Sequence, residues 1–571
     1  MNNLRFDTDI LIVGCGSAGL WAAHSAKVQN PDAKVLLVDK GPANWGGLMS
    51  CAGGDLDVIF PDENIDDWLK DWVYYYDGLC DQKLHEKIFE RSYAIFNQYL
   101  DWGCEYLEGE DGKVEGTGVL QRGLDHIKLY VTKIKGGGGQ RLVDALVKAI
   151  EAEGVESIGR ILLTTLVKNK EGRVIGALGF NTQTGDFVEI HSKVVLLATG
   201  MGGWKSSYMS NSETAEGLKM AFEAGARLRN MEFSRVWVVP KLFGWEGQTT
   251  LLPLGARFVN SLGENYMEHY TKTMPNTDPH YTALGMAMEM RAGRGPVYLD
   301  TSGVREGAEA ITIPKQGWQY INYHRLQDDC NIDFFKQKTE WMPQPLCTYA
   351  GISADLEGAT NVPGLYAAGR CRSIDPGVYT GGFALMTTAV TGQIAGEAMV
   401  EYIKDKKIEE FDNSFVEAEK EKLFAPLHNN GIDSKPVMTA VQRIAYAYDV
   451  CLVKSEKSLK NALHQILSLK EELVPQMGAA DPHYLLKLKE TEASVFITEL
   501  YIRASLERKE SRAGHFREDY PDHVDGWLKW IEGELVDGEV KLSHVPVPID
   551  TYKHKIERYY QDNFDYINGV K

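Results

Sequence analysis

Asp9-Ile10-Leu11-Ile12-Val13 runs directly into Gly14-Cys15-Gly16-Ser17-Ala18-Gly19, and the Ala-rich stretch Leu20–Asn30 follows. The apolar run reads as a buried parallel strand, the glycines as a GxGxxG turn, and the Ala-rich stretch as a helix. A second apolar strand, Lys34–Val38, ends in Asp39. Each glycine has its own task. Gly14 allows the tight turn, Gly16 lets the backbone approach a pyrophosphate, and Gly19 lets the helix lie close on the sheet. The helix N-terminus adds free N–H groups and a positive dipole end. Asp39 is placed to accept ribose hydroxyls, and its charge disfavours a 2′-phosphate. A GxGxxG alone is weak evidence. Strand, turn, helix, strand and acid in this order within about 30 residues predict a dinucleotide-binding unit.

Two further glycine-ended strands decide which dinucleotide. Lys193–Gly200 (KVVLLATG) is followed closely by Gly202 and Gly203, and Gly364–Gly369 (GLYAAG) is a second such strand. Gly381-Gly382 then opens a long helical stretch, Phe383–Ile403. A helix starting there can aim its N-terminus at the N1/O2 edge of a flavin and stabilise negative charge on the reduced ring. This is the layout of a chain that leaves an FAD domain and later returns to it. No second GxGxxG with its own strand and acid is present for a nicotinamide nucleotide. The expected FAD-binding residues are Gly14, Gly16, Ser17, Ala18, Gly19, Asp39, Lys40, Gly47, Ala52, Gly53, Gly54, Ala198, Thr199, Gly200, Gly369, Gly381, Gly382, Ala384 and Leu385. Gly136–Gly139 opens the amphipathic helix Arg141–Glu153 but lacks the Lys-Ser/Thr of a P-loop. It is expected to pack on the flavin side of the domain.

The chain has 571 residues, enough for three or four domains. With 61 basic and 80 acidic residues its net charge is −19, which argues against nucleic acid as a partner. No stretch approaches the roughly 20 apolar residues of a membrane helix, so direct membrane insertion is not expected. No basic region precedes the first apolar run, and a cytoplasmic protein is expected. The closest two of the eight cysteines, Cys330 and Cys347, are separated by sixteen residues. No CxxC can hold a cluster or zinc, so no metal site is expected and any iron–sulfur chemistry belongs to another subunit.

Five segments carry a resemblance to the flavoprotein subunits of the fumarate reductase/succinate dehydrogenase superfamily, which also holds L-aspartate oxidase and the α subunit of adenylylsulfate reductase. They are the GxGxxG unit, Arg229–Phe233 (RNMEF), Gly255–Tyr270 (GARFVNSLGENYMEHY), Pro363–Arg370 (PGLYAAGR) and Glu510–Pro521 (ESRAGHFREDYP). The resemblance implies an α/β protein: an FAD-binding dinucleotide fold with an inserted α+β capping domain and a helical C-terminal domain. The implied division is 1–234 for the first part of the FAD domain, 235–345 for the cap, 346–410 for the return segment and 411–571 for the helical domain.

The departures from that family are informative. Gly46–Gly54 has no histidine to link the flavin, so FAD is expected to be non-covalent. The family's His-Pro-Thr becomes Arg235-Val236-Trp237 and onward to Pro240. Its proton-delivering arginine falls near Leu252, its histidine near Leu346, and its second substrate arginine near Tyr379-Thr380. Fumarate reduction needs cations at both carboxylates and an acid for the α-carbon, which these positions do not offer. The branch nearest to adenylylsulfate reductase agrees better, through the missing histidine and through Asp66–Trp72, Gly78-Leu79 and Tyr99–Gly103. In that branch sulfite adds to flavin N5, and an arginine and a tryptophan line the flavin. Arg235 and Trp237 are the counterparts here.

The expected catalytic residues are Arg235, Trp237, Arg370, Arg372 and Tyr379. An arginine inside an apolar run must find an anionic partner, because an unpaired buried charge is costly. For Arg235 that partner is a substrate anion or Glu232. Trp237 stacks on substrate or flavin, or is core. Arg370 and Arg372 flank Cys371, just after the strand that should end at the flavin. Tyr379 precedes the Gly381-Gly382 helix start as a hydrogen-bond donor. Lys241 and His324 are weaker candidates, and Cys51, Cys347 and Cys371 read as small thiols near the ring. Arg512, His515 and Arg517 read as a polar network that docks the C-terminal domain or an iron–sulfur partner.

The sequence thus predicts the catalytic subunit of an FAD-dependent oxidoreductase. Electrons pass between a small anionic substrate and a ferredoxin-like iron–sulfur subunit carrying four-iron four-sulfur (4Fe-4S) clusters, in a hetero-oligomer. The alternatives are a fumarate reductase/succinate dehydrogenase-type dicarboxylate enzyme, adenylylsulfate reductase proper, and a flavin electron-transfer module without its own substrate.

Overall fold

The computed structural model describes residues 2–565, apart from 110, 111, 115, 118–121, 127, 128, 131–137, 206–211, 246, 247, 274–276, 306, 308 and 310–317. Its central sheet is built around β1 (Asn3–Val13), whose last four residues are buried on both faces. The helix α1 (Ser17–Gln29) follows, and β2 (Val35–Val38) returns parallel to β1 with Ile10 opposite Val35. On the other side of β1 lies the strand Phe187–Leu197, also parallel. The full order is Glu156–Ile158, β2, β1, Phe187–Leu197, Val174–Asn181, Ile161–Lys168. Phe187–Leu197 shares one edge between two neighbours. Its first half pairs antiparallel with Val174–Asn181, and Val195–Leu197 pairs parallel with the returning strand Leu365–Ala367.

Small residues set the layer above this sheet. A Cβ added at Gly392 would overlap the Ala18 carbonyl, and one at Gly396 the Ala22 carbonyl. The helix Phe383–Tyr402 therefore lies in backbone contact with α1, a spacing that larger side chains would forbid. Behind the first turn, a Cβ at Gly14 would overlap the Ala198 carbonyl, and Gly14 adopts φ +109°. Only glycine tolerates that backbone at that distance.

A second sheet of four strands stands apart: Ser234–Pro240, Thr339–Thr348, Val297–Asp300 and Arg257–Val259, in that order. Its helices include Pro279–Arg291, capped by Asp278, whose side chain accepts the His280 N–H. The mixture of strands and helices in this inserted unit is the expected α+β cap.

Toward the C-terminus the chain is mainly helical, with Ser434–Ala445, Glu456–Ser468 and the long helix Pro482–Glu507. One hairpin departs from the helical expectation. Lys529–Val536 pairs with Glu539–Pro546 and also with Leu228–Arg229 of the first half. The segment Glu510–Pro521 fastens this region. Arg512 donates to both oxygens of Glu510 and to the Asp77 carbonyl, and Asp77 accepts the Ala513 N–H. Arg508 bridges Glu510 and Glu232, all of them buried. Arg512 thus docks the C-terminal region onto the first half of the chain.

Among the described residues no helix is long and apolar enough to cross a membrane. Among them, too, no cluster of three or more His, Cys, Asp or Glu side chains is placed to hold a metal ion. All eight cysteines are free thiols.

Candidate active site

A cavity of about 1030 Å³ opens at the C-terminal ends of β1, β2 and Phe187–Leu197. Ligands of doubly wound sheets bind at this edge. Of the sequence-predicted cofactor residues, Gly14, Gly16, Ser17, Ala18, Asp39, Lys40, Gly47, Ala52, Ala198, Thr199, Gly200, Ala384 and Leu385 line it.

The acid after β2 is clamped to the glycine turn. Cys15 N–H donates to Asp39 Oδ2 at 2.8 Å, and Gly41 N–H to Oδ1 at 2.7 Å. Each oxygen keeps a lone pair for another donor, so a ribose hydroxyl can be received there. Gly16 precedes α1 with extended backbone and no side-chain cap. The first N–H groups of α1 are therefore available to an anion at the helix entry.

The other predicted glycines act as packing. Gly19 lies against the Gly14 carbonyl, and Gly369, at φ +64°, against the Ala18 side chain. Gly382, at φ +82°, is the residue before the helix Phe383–Tyr402, whose first turn reaches the cavity through Ala384 and Leu385. Gly53, Gly54 and Gly381 also lie off the cavity lining. Gly136 and Gly137 fall outside the described residues. Gly138 and Gly139 lie against the carbonyls of Gly53 and Met49, where any Cβ would overlap.

Lys40 lines the cavity, but its ammonium is committed. It donates to Glu216 at 2.6 Å, Thr214 at 2.8 Å and Glu490 at 3.1 Å. Glu490 also pairs with Lys205, and these lysines hold its carboxyl down to about 2 against the effect of burial. This buried ion cluster joins the FAD-domain loops to the long helix Pro482–Glu507.

At the cavity's other end sit Arg235, Arg370 and Tyr379. Arg235 lies on the first strand of the cap sheet, beside a register shift between Arg235 and Val236. Its guanidinium carbon is 4.4 Å from the Tyr379 ring centroid and 5.1 Å from that of Trp237. Arg370 pairs with Asp375 and lies over the Tyr349 ring at 5.1 Å. Burial works against its charge, but Asp375 and Tyr349 hold the guanidinium above its ordinary pKa. Tyr379 is fixed by its backbone. Its N–H donates to Asp278 Oδ2 at 3.2 Å, and its carbonyl accepts from Tyr75 Oη at 2.9 Å.

Trp237 and Arg372 are placed differently from the sequence expectation. Trp237 is buried behind Arg235, packed with Leu346, Cys347 and Tyr349, and does not line the cavity. Arg372 points away from it. A short 3-10 turn, Gly369–Cys371, swings the chain, and Arg372 pairs with Ile352 and approaches the Ala354 carbonyl at 3.4 Å. Burial lowers its pKa to about 10. Lys241 is committed to Glu340 on the exposed side of the cap. Cys51 lines the cavity, while Cys347 and Cys371 are buried beside it.

One acid in the lining was not anticipated. Glu213 is 6 % exposed; its Oε1 accepts the Met201 N–H at 3.3 Å, and its Oε2 has no partner among the described residues. Burial holds its carboxyl above the usual range, against the Met201 N–H and the charges of Arg235, Arg370 and Lys40. The segment around it shows no periodicity or motif that would have marked it.

A glycine-turn cavity at the sheet's C-terminal edge, with an acid clamped to the turn and an open helix N-terminus, defines a dinucleotide-binding protein. Comparison with known proteins gives the family. An FAD binding domain matches residues 9–384, and a fumarate reductase flavoprotein C-terminal domain matches residues 440–560. The chain belongs to the FAD-dependent flavoproteins of the fumarate reductase/succinate dehydrogenase family and is a flavin-dependent oxidoreductase. It is 25 % identical to the fumarate reductase flavoprotein subunit of Mycobacterium tuberculosis, over 95 % of this chain and 97 % of that protein. Its fold is that of quinol fumarate reductase of E. coli, with TM-score 0.85, 22 % identity and coverage of 96 % and 98 % of the two chains. The adenylylsulfate reductase of Archaeoglobus fulgidus shares it too, with TM-score 0.80, 22 % identity and coverage of 96 % of each chain.

Proposed function

We propose that this chain is the FAD-bearing catalytic subunit of a two-component oxidoreductase acting on a small anionic substrate. The observation that carries this reading is the continuity of one cavity, from the Gly14–Gly19 turn to the pair Arg235 and Arg370. The residues fit FAD held without a covalent tether. The α1 N-terminus and Gly16 would take the pyrophosphate, Asp39 a ribose, and the helix Phe383–Tyr402 would direct its N-terminus at the ring. When bound, the flavin supplies two-electron chemistry and can pass the electrons on singly.

This chain's own residues bind and orient the substrate. Arg235 presents a fixed cation, braced by Tyr379, and Arg370 adds a second whose charge Asp375 offsets. The buried apolar packing behind them, including Trp237 and Leu346, excludes water and strengthens each charge–charge contact. Leu252 and Leu346 are both buried, where the family resemblance places a proton-delivering arginine and a histidine. Their character speaks for an anion other than a dicarboxylate. The related fumarate reductase protein is one subunit of its enzyme, which supports a separate electron carrier here, and we assign that role to a ferredoxin-like iron–sulfur subunit. We keep, as part of this reading, the division 1–234, 235–345, 346–410 and 411–571.

The test starts from the purified protein. Heat-released supernatant should fluoresce as FAD, and anaerobic titration with a reduced ferredoxin should bleach the flavin. Candidate anions, sulfite among them, should then perturb the flavin spectrum. A protein that releases no flavin refutes the reading, and one whose flavin responds to ferredoxin but to no anion favours an electron-transfer module.

A further inference from the structure

Glu213 has no role in the reading above, yet it lines the same cavity as Arg235 and Arg370. A buried ionised carboxylate in a site meant for anions would repel them. A buried neutral carboxyl would do the reverse, offering an O–H to an anion's oxygen. The geometry selects between these. Only one of its oxygens is satisfied, by the Met201 N–H, and the other has no donor within reach among the described residues. A carboxylate left with an unsatisfied buried oxygen is costly, whereas a carboxyl O–H at that oxygen is a donor waiting for an acceptor.

We propose that Glu213 is the proton donor of this cavity: its Oε2–H hydrogen-bonds the anion held by Arg235 and Arg370 and passes it a proton during reduction. This rests on the anion reading of the cavity. With FAD bound and reduced, the cofactor would supply two electrons and one hydrogen as hydride, and Glu213 supplies the second hydrogen as a proton, so that two bonds to hydrogen form on the substrate while the Glu213 O–H bond breaks. The carboxylate left behind regains its proton from water once the product leaves. The groups that face Glu213 support the cycle. Arg235 from the cap strand, Arg370 from the turn after the returning strand and Lys40 from the segment after β2 stabilise the transient carboxylate, while Cys347 on the neighbouring cap strand is held as a neutral thiol by burial. A bound anion adds negative charge beside Glu213 and keeps it protonated until transfer.

Two measurements on the FAD-loaded protein test this, with Glu213→Gln as the variant. Infrared difference spectra between wild type and Glu213→Gln at pH 7 should show one protonated-carboxyl C=O band lost. Other buried carboxyls such as Asp57 and Asp278 remain in both proteins and cancel. The second is binding of sulfate, followed by the flavin absorbance across pH 5.5 to 8.5. In wild type, affinity should fall about tenfold per pH unit above the Glu213 titration, and in Glu213→Gln it should change less than about twofold. If no carboxyl band is lost, or if the variant keeps the wild-type pH dependence, the assignment is overturned. If the band is lost but sulfate does not bind the wild type, the anion reading of the cavity fails, and with it the donor role, although the neutral state of Glu213 stands.

Discussion

The Arg235 guanidinium lies over the Tyr379 ring at 4.4 Å, joining the cap sheet to the segment that precedes the helix Phe383–Tyr402. An aromatic face takes up the flat side of a guanidinium and leaves its edge geometry suited to a carboxylate or oxyanion. The same tyrosine is tied through its N–H to Asp278, the cap residue of the helix Pro279–Arg291. The cation is therefore located by both walls of the cavity at once.

Arg235→Ala should leave the flavin in place, since the groups fitted to the pyrophosphate and ribose are Gly16, the α1 N-terminus and Asp39. Anion affinity, read from the flavin absorbance, should fall by about tenfold to a hundredfold, the value of one or two charge-assisted hydrogen bonds. Arg235→Lys should restore only part of it, because an ammonium lacks the flat fork that stacks on Tyr379. An alanine variant that binds anions within twofold of wild type would remove Arg235 from the site.

Gly14→Ala tests the cofactor cradle. At φ +109° a side chain is strained, and its Cβ would press on the Ala198 carbonyl, which is backbone and cannot swing aside. The expected cost is about 1–3 kcal/mol. Thermal unfolding should shift down by several degrees, and the ratio of bound FAD to protein should drop. Full flavin content with an unchanged melting temperature would show that the turn tolerates the methyl group.

Glycine requirements of this kind explain why the FAD half was legible in the sequence. Gly14, Gly200 and Gly369 all take positive φ, and such needs are local, so the residue type records them. Arg370 and Arg372 show where that legibility ends. Two residues apart in sequence, they diverge because the turn Gly369–Cys371 rotates the chain between them, and no composition rule reports a turn of that length. Trp237 shares a strand with Arg235 but is covered by Leu346 and Cys347 from the partner strand, a contact set by pairing across the cap sheet. Glu213 and Glu490 were invisible for the same reason. Their partners arrive from distant segments, and an isolated acid in a polar stretch looks like surface.

The terminal block makes a stability prediction. Glu510 is shared by Arg508 and Arg512, with Glu232 as the second partner of Arg508, and all four side chains are fully buried. Glu510→Gln keeps the shape but leaves the two guanidinium groups with one carboxylate, Glu232, in a dry interior. A loss of about 3–5 kcal/mol is expected, the usual penalty for breaking one side of a buried pair. The C-terminal region should release first, so limited proteolysis should cut near residue 510 in the variant at temperatures where the wild type resists. Equal protease resistance of the two proteins would mean that Glu510 is not the anchor of this docking.

His280 sets the acid limit. It is buried in the first turn of the cap helix Pro279–Arg291, both of its ring nitrogens lack partners among the described residues, and burial together with the nearby Lys454 charge lowers its pKa from 6.5 to about 3. Between those two values the unfolded chain holds a proton that the folded protein refuses. Acidification therefore favours unfolding, and stability contributed by the neutral imidazole is lost as pH falls from about 6.5 toward 3. His280→Met fills a similar volume without a titrating group. Its melting temperature should stay near that of wild type at pH 8, and should exceed it by a widening margin as pH drops from 6 to 4. Parallel curves for the two proteins across that range would place the acid sensitivity elsewhere, with buried carboxylate pairs such as Glu490–Lys205 as the first place to look.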